Sequence, residues 1–466
     1  MDAAEVQGPS LVDLQPTGDS QMGRRQRILT EILGVEGFVV REHWFERADG
    51  SRVEPLGGAA LFRETRLVLV LEARWLPRCG ECAQACRVVH EQLDVRRWRD
   101  LPWGEHPVVL VYAPRRARCR QCQCSRVELL PWAEPKQRLT RRLQQRVALE
   151  AVSMPILHVA ILHGLSWSTV RQAEVAAIRR WERTRPVTPL VWLGVDEKYL
   201  GRRHRRQECF VTIVSNLDTG EPLWIGLGRS EAVLSTYLLT LPAEVKTQLV
   251  GIAMDMYKPY YAAVANTPGL EHVVIAHDPF HVMKRVGQAV DELRREVFFR
   301  AGPHERAVGR GSRWLLLRGR ENLDVHQRLQ VDRLLALNGT LARGYQIKEE
   351  MRWVLGLSTR ASMTIGLDRV LRRTQRKDCR SLRRLHESLR AHREEILAFG
   401  QYHPHTGRIE ALNNNWETLV RRSRGHRDLD YLLTKLRFMV ANPLRRADDL
   451  CRFRALGVMP PLRRAA

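Results

Sequence analysis

The sequence predicts an α/β protein with a mixed β-sheet at its core, and three observations in the stretch 189–285 lead to this prediction. Two apolar runs of strand length each end on a carboxylate, at Asp196 and at Asp255. Two β-rich runs, 208–215 and 222–227, lie between them and are joined by the turn sequence Asn-Leu-Asp-Thr-Gly. A carboxylate just past the end of a buried strand lies at the rim of the sheet, so both aspartates are expected there.

The remaining elements of this stretch extend the pattern. Helix-like segments near 231–239 and 257–264 are followed by a further strand, 272–276, which precedes Asp278. The predicted order is therefore three strands in a meander, then helix, strand, helix, strand and helix. This is the order of a ribonuclease-H-like nuclease core, in which strand-end aspartates are placed to share a divalent metal ion.

The charge of the chain predicts a nucleic-acid partner. Its 466 residues leave room for several domains, roughly three at about 150 residues each. Lys and Arg number 76 against 52 Asp and Glu, which gives a net charge of +24. Arg is the commoner of the two cations and suits bidentate phosphate contacts, and phosphate neutralisation supplies most non-specific affinity for nucleic acid. A genome that favours Arg codons is the alternative explanation of part of this excess.

The sequence predicts no membrane span and no secretory signal. It contains no run of about 18 or more apolar residues and no charged, apolar and small-residue leader. We therefore expect no membrane partner and a reducing cytoplasm as the compartment. Residues 1–25 are expected to form a disordered arm.

Six of the nine cysteines cluster in one stretch as two Cys-x-x-Cys pairs and two single residues: Cys79, Cys82, Cys119, Cys122, Cys86 and Cys124. Each pair presents two thiolates from one tight turn, and two such pairs suit a tetrahedral zinc ion. The spacer between the pairs contains a β-like run, 107–112, and can fold as a hairpin.

We expect the four paired cysteines to bind a structural zinc ion. The two single cysteines are expected outside the site, although either could replace a paired one. Reduced cysteines in a small core are the alternative, and a disulfide framework is the least expected in this compartment. Four thiolates leave no open coordination position, so a catalytic role is not expected for this zinc.

Residues 138–185 have helical spacing and contain the pattern of a helix-turn-helix. Ala160 lets two helices approach, Gly164 allows the turn, and Ser166 can cap the second helix. Candidate DNA contacts at and beyond this cap are Ser166, Ser168, Thr169, Arg171 and Gln172. A plain helical hairpin is the alternative, but the position between a cysteine-rich segment and a nuclease-like core favours DNA binding.

An Arg-rich stretch with helical periodicity, 299–400, follows the predicted sheet and separates it from a last candidate carboxylate, Glu410. Glu410 opens a segment in which Leu412 and Trp416 have helical spacing. A carboxylate on a helix that faces the strand-end aspartates would complete a three-carboxylate metal site. The alternative is a solvated glutamate that complements the dipole at a helix N-terminus.

Five motifs occur in order along most of the chain: Val195-Asp196-Glu197, Met254-Asp255-Met256-Tyr257, Asp278-x-Phe280-His281-Val282, Ala342-x-x-x-Gln346-x-Lys348-Glu349 and Ile409-Glu410-x-x-Asn413-Asn414. Together they resemble bacterial insertion-sequence transposases of the ISL-three family, over a run from about Ile28 to Leu436. Members of this family carry an N-terminal zinc ribbon, a helix-turn-helix and a DDE nuclease core that an all-helical insertion interrupts.

The resemblance implies a catalytic triad of Asp196, Asp255 and Glu410, with the insertion between the last two. Two small departures leave the triad intact: His426 stands where an aromatic residue commonly follows the glycine, and Asn415 lengthens the asparagine run. The chain is accordingly divided into an arm 1–25, lead-in strands and helix 26–72, a zinc ribbon 73–135, a helix-turn-helix domain 136–186, a first core part 187–298, a helical insertion 299–400, a last core helix 401–445 and a basic tail 446–466.

Three carboxylates without a clustered thiolate or imidazole favour hard ions, so Mg²⁺ or Mn²⁺ is the expected catalytic cofactor. Two such ions, about 4 Å apart, would activate a water or a 3′-hydroxyl and stabilise the leaving oxygen. Residues expected to support the metal ligands are Glu197, Asp278, His281, Asn413 and Asn414. An exposed acidic residue is an equal alternative for the first of these, and orientation of a helix is the simpler role for Asp278 and His281.

Expected phosphate contacts on the core are Lys284, Arg285, Arg421, Arg422 and Arg424, with a solvated basic face as the alternative. The resemblance implies a transposase that binds the terminal inverted repeats of its insertion sequence, cleaves the ends and joins them to target DNA. Its partner is double-stranded DNA on the bacterial nucleoid, and at least two copies are expected to cooperate because two ends must meet. A sequence-specific repressor with an inactive core and a structure-specific nuclease or resolvase are the alternatives, and the presence of all three carboxylates favours an active enzyme.

Overall fold

The structure is a computed structural model, which describes residues 23–53, 65–104, 106–185, 188–199, 210–300, 302–309, 311–375, 379–423 and 428–457. Nearly all of the expected arm 1–25, together with Arg424 and His426, lies outside the described residues. The chain divides into two compact units, Met1–Arg185 with Asn442–Ala466, and Pro186–Ala441. Within the described ranges, no helix combines the length and the apolar character that crossing a lipid bilayer requires.

The first unit contains a five-stranded and a three-stranded sheet in its described residues. Its strands are β1 (Phe38–Glu46), β2 (Arg52–Val53), β3 (Arg66–Ala73), β4 (Val88–Gln92), β5 (Arg96–Trp103), β6 (His106–Tyr112), β7 (Arg115–Arg118) and β8 (Ser125–Val127). The larger sheet has the order β2-β1-β3-β6-β5, in which only the β3–β6 pair is parallel. Helix α1 (Arg24–Leu33) packs on it around a core that includes Trp98 and Trp132.

The spacer between the two cysteine pairs contains a hairpin, as the β-like run predicts. This hairpin does not belong to the small sheet next to the cysteines. Strands β5 and β6 belong to the larger sheet, which therefore takes strands from both sides of the expected boundary at residue 72. The small antiparallel sheet β4-β7-β8 stands next to the cysteines.

Three helices complete the central part of this unit: α2 (Arg141–Ser153), α3 (Ile156–His163) and α4 (Trp167–Thr184). Helix α4 packs on α2 and on α3, and the side chains of Val147, Val159 and Ala177 are fully buried. Gly164 ends α3 with a φ of 55°, a left-handed conformation that glycine adopts without steric cost. The sharp turn between α3 and α4 follows from this residue.

The second unit is built on a five-stranded mixed sheet. Its strands are β9 (Trp192–Tyr199), β10 (Phe210–Asn216), β11 (Pro222–Leu227), β12 (Gly251–Met254) and β13 (Val274–His277). The spatial order is β11-β10-β9-β12-β13, with the first three strands antiparallel and with β12 parallel to both β9 and β13. The meander followed by parallel strands is the order predicted from the sequence.

One strand boundary differs from the prediction. The sequence predicts that the first strand ends just before Asp196, but β9 continues to Tyr199, because β10 goes on pairing with it on one side. On its other side β9 loses its partner after Val195, where β12 ends. Asp196 is therefore inside a strand yet at the edge of the parallel half of the sheet.

Helices cover both faces of this sheet and form the long insertion: α5 (Glu231–Thr240), α6 (Ala243–Gln248), α7 (Lys258–Ala265), α8 (Pro279–Arg300), α9 (Pro303–Gly309), α10 (Arg313–Leu317), α11 (Val325–Leu337), α12 (Gly339–Leu355), α13 (Arg360–Thr374), α14 (Arg380–Ala391), α15 (Arg393–Tyr402), α16 (Gly407–Ser423) and α17 (Leu429–Val440). Helices α5 and α7 pack on one face around Leu193 and Ile252, and α16 and α17 pack on the other around Ile213 and Trp416. Helices α8 and α12 to α15 share a separate apolar core in the insertion.

The chain ends in the first unit with helix α18 (Ala447–Ala455), in the segment expected as a basic tail. Its Phe453 is fully buried and packs edge to face on Trp181 of α4, with ring centroids 5.7 Å apart. The carbonyl of Phe453 also accepts a hydrogen bond from the side chain of Gln145 in α2. The C-terminal segment therefore completes the helical layer of the first unit.

Candidate functional site

Three aspartates meet in register at one edge of the five-stranded sheet. Met254 at the end of β12 is paired with Val195 of β9 and with His277 of β13. An aspartate follows each member of this row. We call the three together the carboxylate edge: Asp196, Asp255 and Asp278.

Asp196 is 8% exposed and has three polar neighbours. Its Oδ1 accepts a hydrogen bond from the backbone N–H of Glu197 at 2.8 Å. Its Oδ2 accepts one from the side-chain amide of Asn413 at 2.7 Å and lies 3.9 Å from Nζ of Lys198. A nearly buried carboxylate is thus held by an amide, and a cation on the same face of its strand stands within reach.

Asp255 forms an ion pair with His281 in the first turns of α8. Its Oδ2 lies 3.3 Å from Nδ1 of His281, and its Oδ1 accepts the N–H of Met256 at 2.6 Å. Burial raises the pKa of Asp255, but the imidazole and the amide outweigh burial and bring this pKa to about 2. Burial lowers the pKa of His281, yet Asp255, with the charges of Asp196 and Asp278, leaves this pKa raised. The carboxylate and the imidazole therefore each favour the charged form of the other.

Asp278 anchors the start of the helix that carries His281. Its Oδ1 accepts the N–H of Phe280 at 3.0 Å, and its carbonyl accepts the N–H of His281 at 3.0 Å. Burial is the main cause of the raised pKa of Asp278, and the charge of Asp196 adds to it. The side chain both lines the carboxylate edge and orients α8.

Glu410 lies in the first turn of α16 and is exposed. Residues three apart share a helix face, so Glu410 lies on the side of α16 whose Asn413 touches Asp196. Gly194 lets this helix approach, because a Cβ atom there would lie 3.1 Å from Cδ1 of Ile409 and 2.6 Å from Cδ2 of Leu217. Residues far apart in the sequence, such as Asp196 and Asn413, thus come together at one edge of the sheet.

Two further residues were predicted to support the metal ligands, Glu197 in β9 and Asn414 in α16. Glu197 points away from Asp196 and pairs with Arg229, whose Nη1 is 3.2 Å from the Glu197 carboxylate. Asn414 is exposed, next to Asn413 on α16. Lys198 was not among the predicted residues, although its position two residues beyond Asp196 in a strand is a signal that could have found it.

The donor set of the carboxylate edge fits a hard divalent ion. Its ligands would be carboxylate oxygens, and Lys198 supplies positive charge beside Asp196. The ligand oxygens of Asp196, Asp255 and Glu410 do not form one of the groups that lie mutually within 4.8 Å in the described part of the chain. At least one pair of these carboxylates is therefore farther apart than that distance.

The four paired cysteines come together as predicted. Their Sγ atoms all lie within 4.8 Å of one another, and those of Cys82 and Cys119 are 3.5 Å apart. Backbone amides point at the sulfurs: Glu81 N–H at Cys79, 3.4 Å, and Cys122 N–H at Cys119, 3.5 Å. The amide of Cys122 is the main cause of the lowered pKa of Cys119, about 7. All described cysteines are free thiols, so the described chain offers a tetrahedral sulfur site of the kind that zinc prefers.

The single cysteine Cys86 is buried against this cluster as a thiol. Burial, followed by the charges of Cys119 and Cys79, raises the pKa of Cys86 to about 11. Its Sγ lies 3.6 Å from the carbonyl of Gln84, to which the thiol donates. Cys86 thus packs beside the four sulfurs. Neither Cys86 nor Cys124 is one of the close group.

The predicted DNA contacts of the first unit lie around the N-terminus of α4. Ser166 caps this helix by accepting the N–H of Thr169 at 3.1 Å, and its Oγ lies 3.0 Å from Oγ of Ser168. Arg171 lies over the ring of Trp167 at 5.8 Å. Gln172 is exposed on the next turn. An exposed polar helix start with a capped N-terminus is suited to phosphate and base contacts.

The predicted phosphate contacts of the second unit lie on two helices. Lys284 and Arg285 are exposed on α8, one turn beyond His281. Arg421 is exposed near the end of α16 and pairs with Glu417 at 3.0 Å, and Arg422 beside it is half-buried.

Comparisons with known proteins identify the class of protein that carries this fold and site. Family models match three consecutive segments: the zinc-finger of transposase IS204/IS1001/IS1096/IS1165 matches 75–122, the helix-turn-helix domain of transposase family ISL3 matches 128–174, and the ISL3 DDE transposase model matches 193–436. The chain belongs to the ISL3 family of insertion-sequence transposases.

Curated relatives agree with this membership. The chain is 31% identical over 363 residues to the transposase for insertion sequence element IS1001 of Bordetella parapertussis. The matched region covers 77% of this chain and 87% of the relative. This chain is 26% identical over 438 residues to the transposase for insertion sequence element IS1557 of Mycobacterium tuberculosis strain H37Rv. The matched region covers 88% of this chain and 94% of the relative.

Proposed function

We propose that this chain is an active DNA transposase that binds the terminal inverted repeats of its insertion sequence, cleaves the element ends and joins them to target DNA. Asp196, Asp255 and Glu410 are its catalytic carboxylates. The observation that carries the proposal is the strand register that sets Asp196 beside Asp255, with the Glu410 helix held against Asp196 through Asn413.

The strand order of the second unit supports a ribonuclease-H-like core. Its parts are a first segment 187–298, a helical insertion 299–400 and a last segment 401–445 that returns Glu410 to the sheet. In the first unit, 26–72 leads into a zinc ribbon at 73–135 and a helix-turn-helix domain at 136–186, and the arm 1–25 and the tail 446–466 flank these parts. Strands β5 and β6 of the ribbon segment share one sheet with the lead-in strands. The lead-in and the ribbon therefore differ in sequence pattern but fold together.

The three carboxylates would hold Mg²⁺ or Mn²⁺, which would supply Lewis-acid charge for attack on a phosphodiester. Asn413 fixes the orientation of Asp196, and His281 does the same for Asp255. Lys198 and His281 offset the negative charge that three carboxylates and a phosphate would bring together. Hydrolysis frees a 3′-hydroxyl at the element end, which then attacks target DNA by transesterification without an external energy source.

A structural zinc ion bound by Cys79, Cys82, Cys119 and Cys122 folds the ribbon. Support comes from the four converging sulfurs and from the amides that point at them. Four thiolates without a cation repel one another, and zinc removes this cost.

The helix-turn-helix reads the terminal repeats through the start of α4, with Ser166, Ser168, Thr169, Arg171 and Gln172 as contacts. Lys284, Arg285, Arg421, Arg422 and Arg424 bind phosphates on the core. Two ends must be brought together before they are joined, so the working form on the nucleoid is a homo-oligomer. The net charge of +24 supports this assignment of a DNA partner.

The test pairs the wild-type protein with Asp255→Ala on labelled DNA that carries the terminal repeat of the element, with and without Mg²⁺. We expect end-specific nicking that both the substitution and the omission of Mg²⁺ abolish. Asp430→Asn, an exposed aspartate on α17 of the same unit, is the matched control and should cleave as the wild type does. Specific binding without cleavage by any of the proteins would contradict the proposal and favour a repressor with an inactive core. Cleavage that survives Asp255→Ala would mean that the triad is misassigned.

A further inference from the structure

A second group of metal-binding side chains lies beside the carboxylate edge. Apart from the four cysteines, one group in the described residues has ligand atoms mutually within 4.8 Å, formed by His277, His392 and Glu395, which we call the imidazole cluster. His277 ends β13 and is 1% exposed. His392 and Glu395 are half-buried at the start of α15 and, three residues apart, share a face of that helix.

The imidazole of His277 is oriented by the backbone. Its Nδ1 lies 3.0 Å from the carbonyl oxygen of Met254, and a carbonyl can only accept, so Nδ1 carries the proton. The lone pair is then on Nε2, which points to the hydroxyl of Tyr261. The same hydroxyl lies 3.1 Å from Nδ1 of His392. A protonated nitrogen held by a backbone carbonyl is the arrangement found behind histidines that bind metals.

Glu395 supplies a second, independent observation at this cluster. Its Oε2 is buried and has no hydrogen-bond partner among the described residues. A buried carboxylate oxygen without a partner is destabilising, since it has lost its contacts with water and gained no replacement. A cation between the carboxylate and the two imidazoles would satisfy it.

We propose that His277, His392 and Glu395 bind a transition-metal ion of the Zn²⁺ class at a site separate from the catalytic carboxylates. Two imidazoles and one carboxylate suit Zn²⁺ and its neighbours, whereas Mg²⁺ prefers oxygen ligands and water. Tetrahedral ligands at about 2.0–2.1 Å from zinc stand roughly 3.4 Å apart, and the ligand atoms of the imidazole cluster lie within 4.8 Å of one another. The hydroxyl of Tyr261, which contacts Nε2 of His277 and Nδ1 of His392, would move off both nitrogens when the ion binds.

The surrounding charges include both signs. Arg285 and Lys258 act on His392 as positive charges, and Glu395 and Asp255 act as negative ones. The two signs offset each other, so the binding energy comes from direct coordination and not from a general negative field.

The site would brace the end of the sheet against the helical insertion. His277 belongs to β13, and the other two ligands belong to α15, more than a hundred residues later in the chain. The hydrogen bond from His277 to Met254 extends this brace to the residue before Asp255. An ion that binds only the folded chain stabilises it by mass action. The readout is metal content, which does not depend on whether the chain transposes DNA.

The experiment measures zinc per chain in the full-length protein. Metal is removed with a chelator under reducing conditions, and the chain is then dialysed against Zn²⁺ with excess Mg²⁺, which occupies the hard carboxylate site. The wild type should retain two zinc ions, one in the ribbon and one in the imidazole cluster. His392→Ala and Glu395→Gln should each retain one, with affinity for the second ion reduced at least by the 10–100-fold that loss of a supporting residue costs.

Two controls separate loss of a ligand from loss of the fold. His326→Ala removes an exposed histidine from α11 and should keep two zinc ions. Tyr261→Phe removes the hydroxyl between the imidazoles without removing a ligand, and should also keep two. If His392→Ala does not fold, Glu395→Gln carries the same expectation. One zinc ion in the wild type, or two in both ligand variants, would overturn the proposal.

Discussion

Asp196 is the residue on which the proposed chemistry depends most, and its environment is sparse. A carboxylate that is 8% exposed has lost most of its water, and its side-chain partners are the amide of Asn413 and the more distant Lys198. The amide donates to Oδ2 and leaves the carboxylate its charge. Its orientation, and so its readiness to bind a cation, depends on this hydrogen bond together with the one that Oδ1 accepts from the backbone N–H of Glu197.

Replacement of Asn413 by Ala should therefore slow DNA cleavage by about 10–100-fold, the cost typical of losing a residue that orients a metal ligand. Binding of terminal-repeat DNA should stay unchanged, because the helix-turn-helix is not altered. Nicking rates in Mg²⁺ and gel-shift titrations check the two expectations. Asn414→Ala is the control, since Asn414 is the exposed neighbour on the same helix. Equal rates for both variants would show that the amide does not orient Asp196.

Lys348 has a structural role that explains its place in a family motif. Its side chain is 1% exposed, and its Nζ donates to the carbonyls of Leu316 and Arg318 at 2.8 and 2.6 Å. Nζ also lies 2.7 Å from the carboxylate of Glu349 and 4.1 Å from the centre of the Tyr345 ring. The lysine thus satisfies the end of α10 from within α12.

Lys348→Met keeps the apolar stem and removes the donor, so two carbonyls lose their cationic partner. We expect the free energy of unfolding to fall by about 2–4 kcal/mol, measured by urea titration. Lys246→Met is the control: this lysine also donates to a carbonyl, that of Pro268 at 3.1 Å, but this hydrogen bond is exposed to solvent and its loss should cost less than about 0.5 kcal/mol. Similar losses for the two variants would argue against a buried anchoring role.

At the scale of elements, the approach of α16 to β9 sets the geometry of the carboxylate edge. Gly194 leaves room for Ile409 of that helix, and the same helix carries Glu410 and Asn413. Gly194 is thus required because a side chain would not fit there, and not because the backbone adopts a positive φ.

Gly194→Ala should push α16 away from the sheet. A Cβ 2.6 Å from Leu217 forces the neighbours to move, so we expect a loss of about 1–3 kcal/mol in unfolding free energy together with a fall in cleavage rate. Thermal unfolding and the nicking assay measure the two effects. Gly407→Ala, where a Cβ meets no atom within 4 Å, should leave both unchanged. A Gly194→Ala protein with full stability and activity would contradict the packing argument.

The ribbon offers a second test at this scale, through two buried cysteines with different surroundings. Cys119→Ser should abolish zinc binding by the ribbon and lower the melting temperature, because the buried cluster at the cysteines contains little besides the cysteines themselves and Ala117. Cys86→Ser should retain the ribbon zinc, since Cys86 is a thiol beside the four close sulfurs. Zinc content and thermal melts measure both. Loss of the ribbon zinc in Cys86→Ser would show that Cys86 is a ligand.

Elements could be predicted where local pattern decides them. The strand runs that end at Asp196 and Asp255 gave the core sheet, and Ala160, Gly164 and Ser166 gave the helix-turn-helix. The end of β9 was predicted too early because β10 continues to pair with it beyond Asp196. The sequence of one strand alone does not determine how far it pairs with its neighbour. The sequence predicted a hairpin around 107–112 and strands in the lead-in, but it did not predict that β6 pairs with β3, for the same reason.

At the scale of the whole molecule, the sites are assembled from residues that no local pattern connects. The family resemblance pointed to Glu410, while Asn413 and Gly194 explain in physical terms how its helix meets the sheet. No such pattern links His277 to His392, which come together only because α15 packs on β13. Long-range packing therefore decides which side chains can share an ion.

The most direct test of the central claim is to locate the bound metal along the chain. Protein loaded with Fe²⁺ and treated with ascorbate and peroxide cuts its own backbone next to the ion, and the fragments can be sequenced. The proposed triad predicts cuts near residues 196, 255 and 410, all suppressed by excess Mg²⁺ and lost in Asp255→Ala. Cuts that spare the region of Glu410, or cuts near residues 196 and 410 that persist in excess Mg²⁺, would contradict a shared hard-metal site at the carboxylate edge.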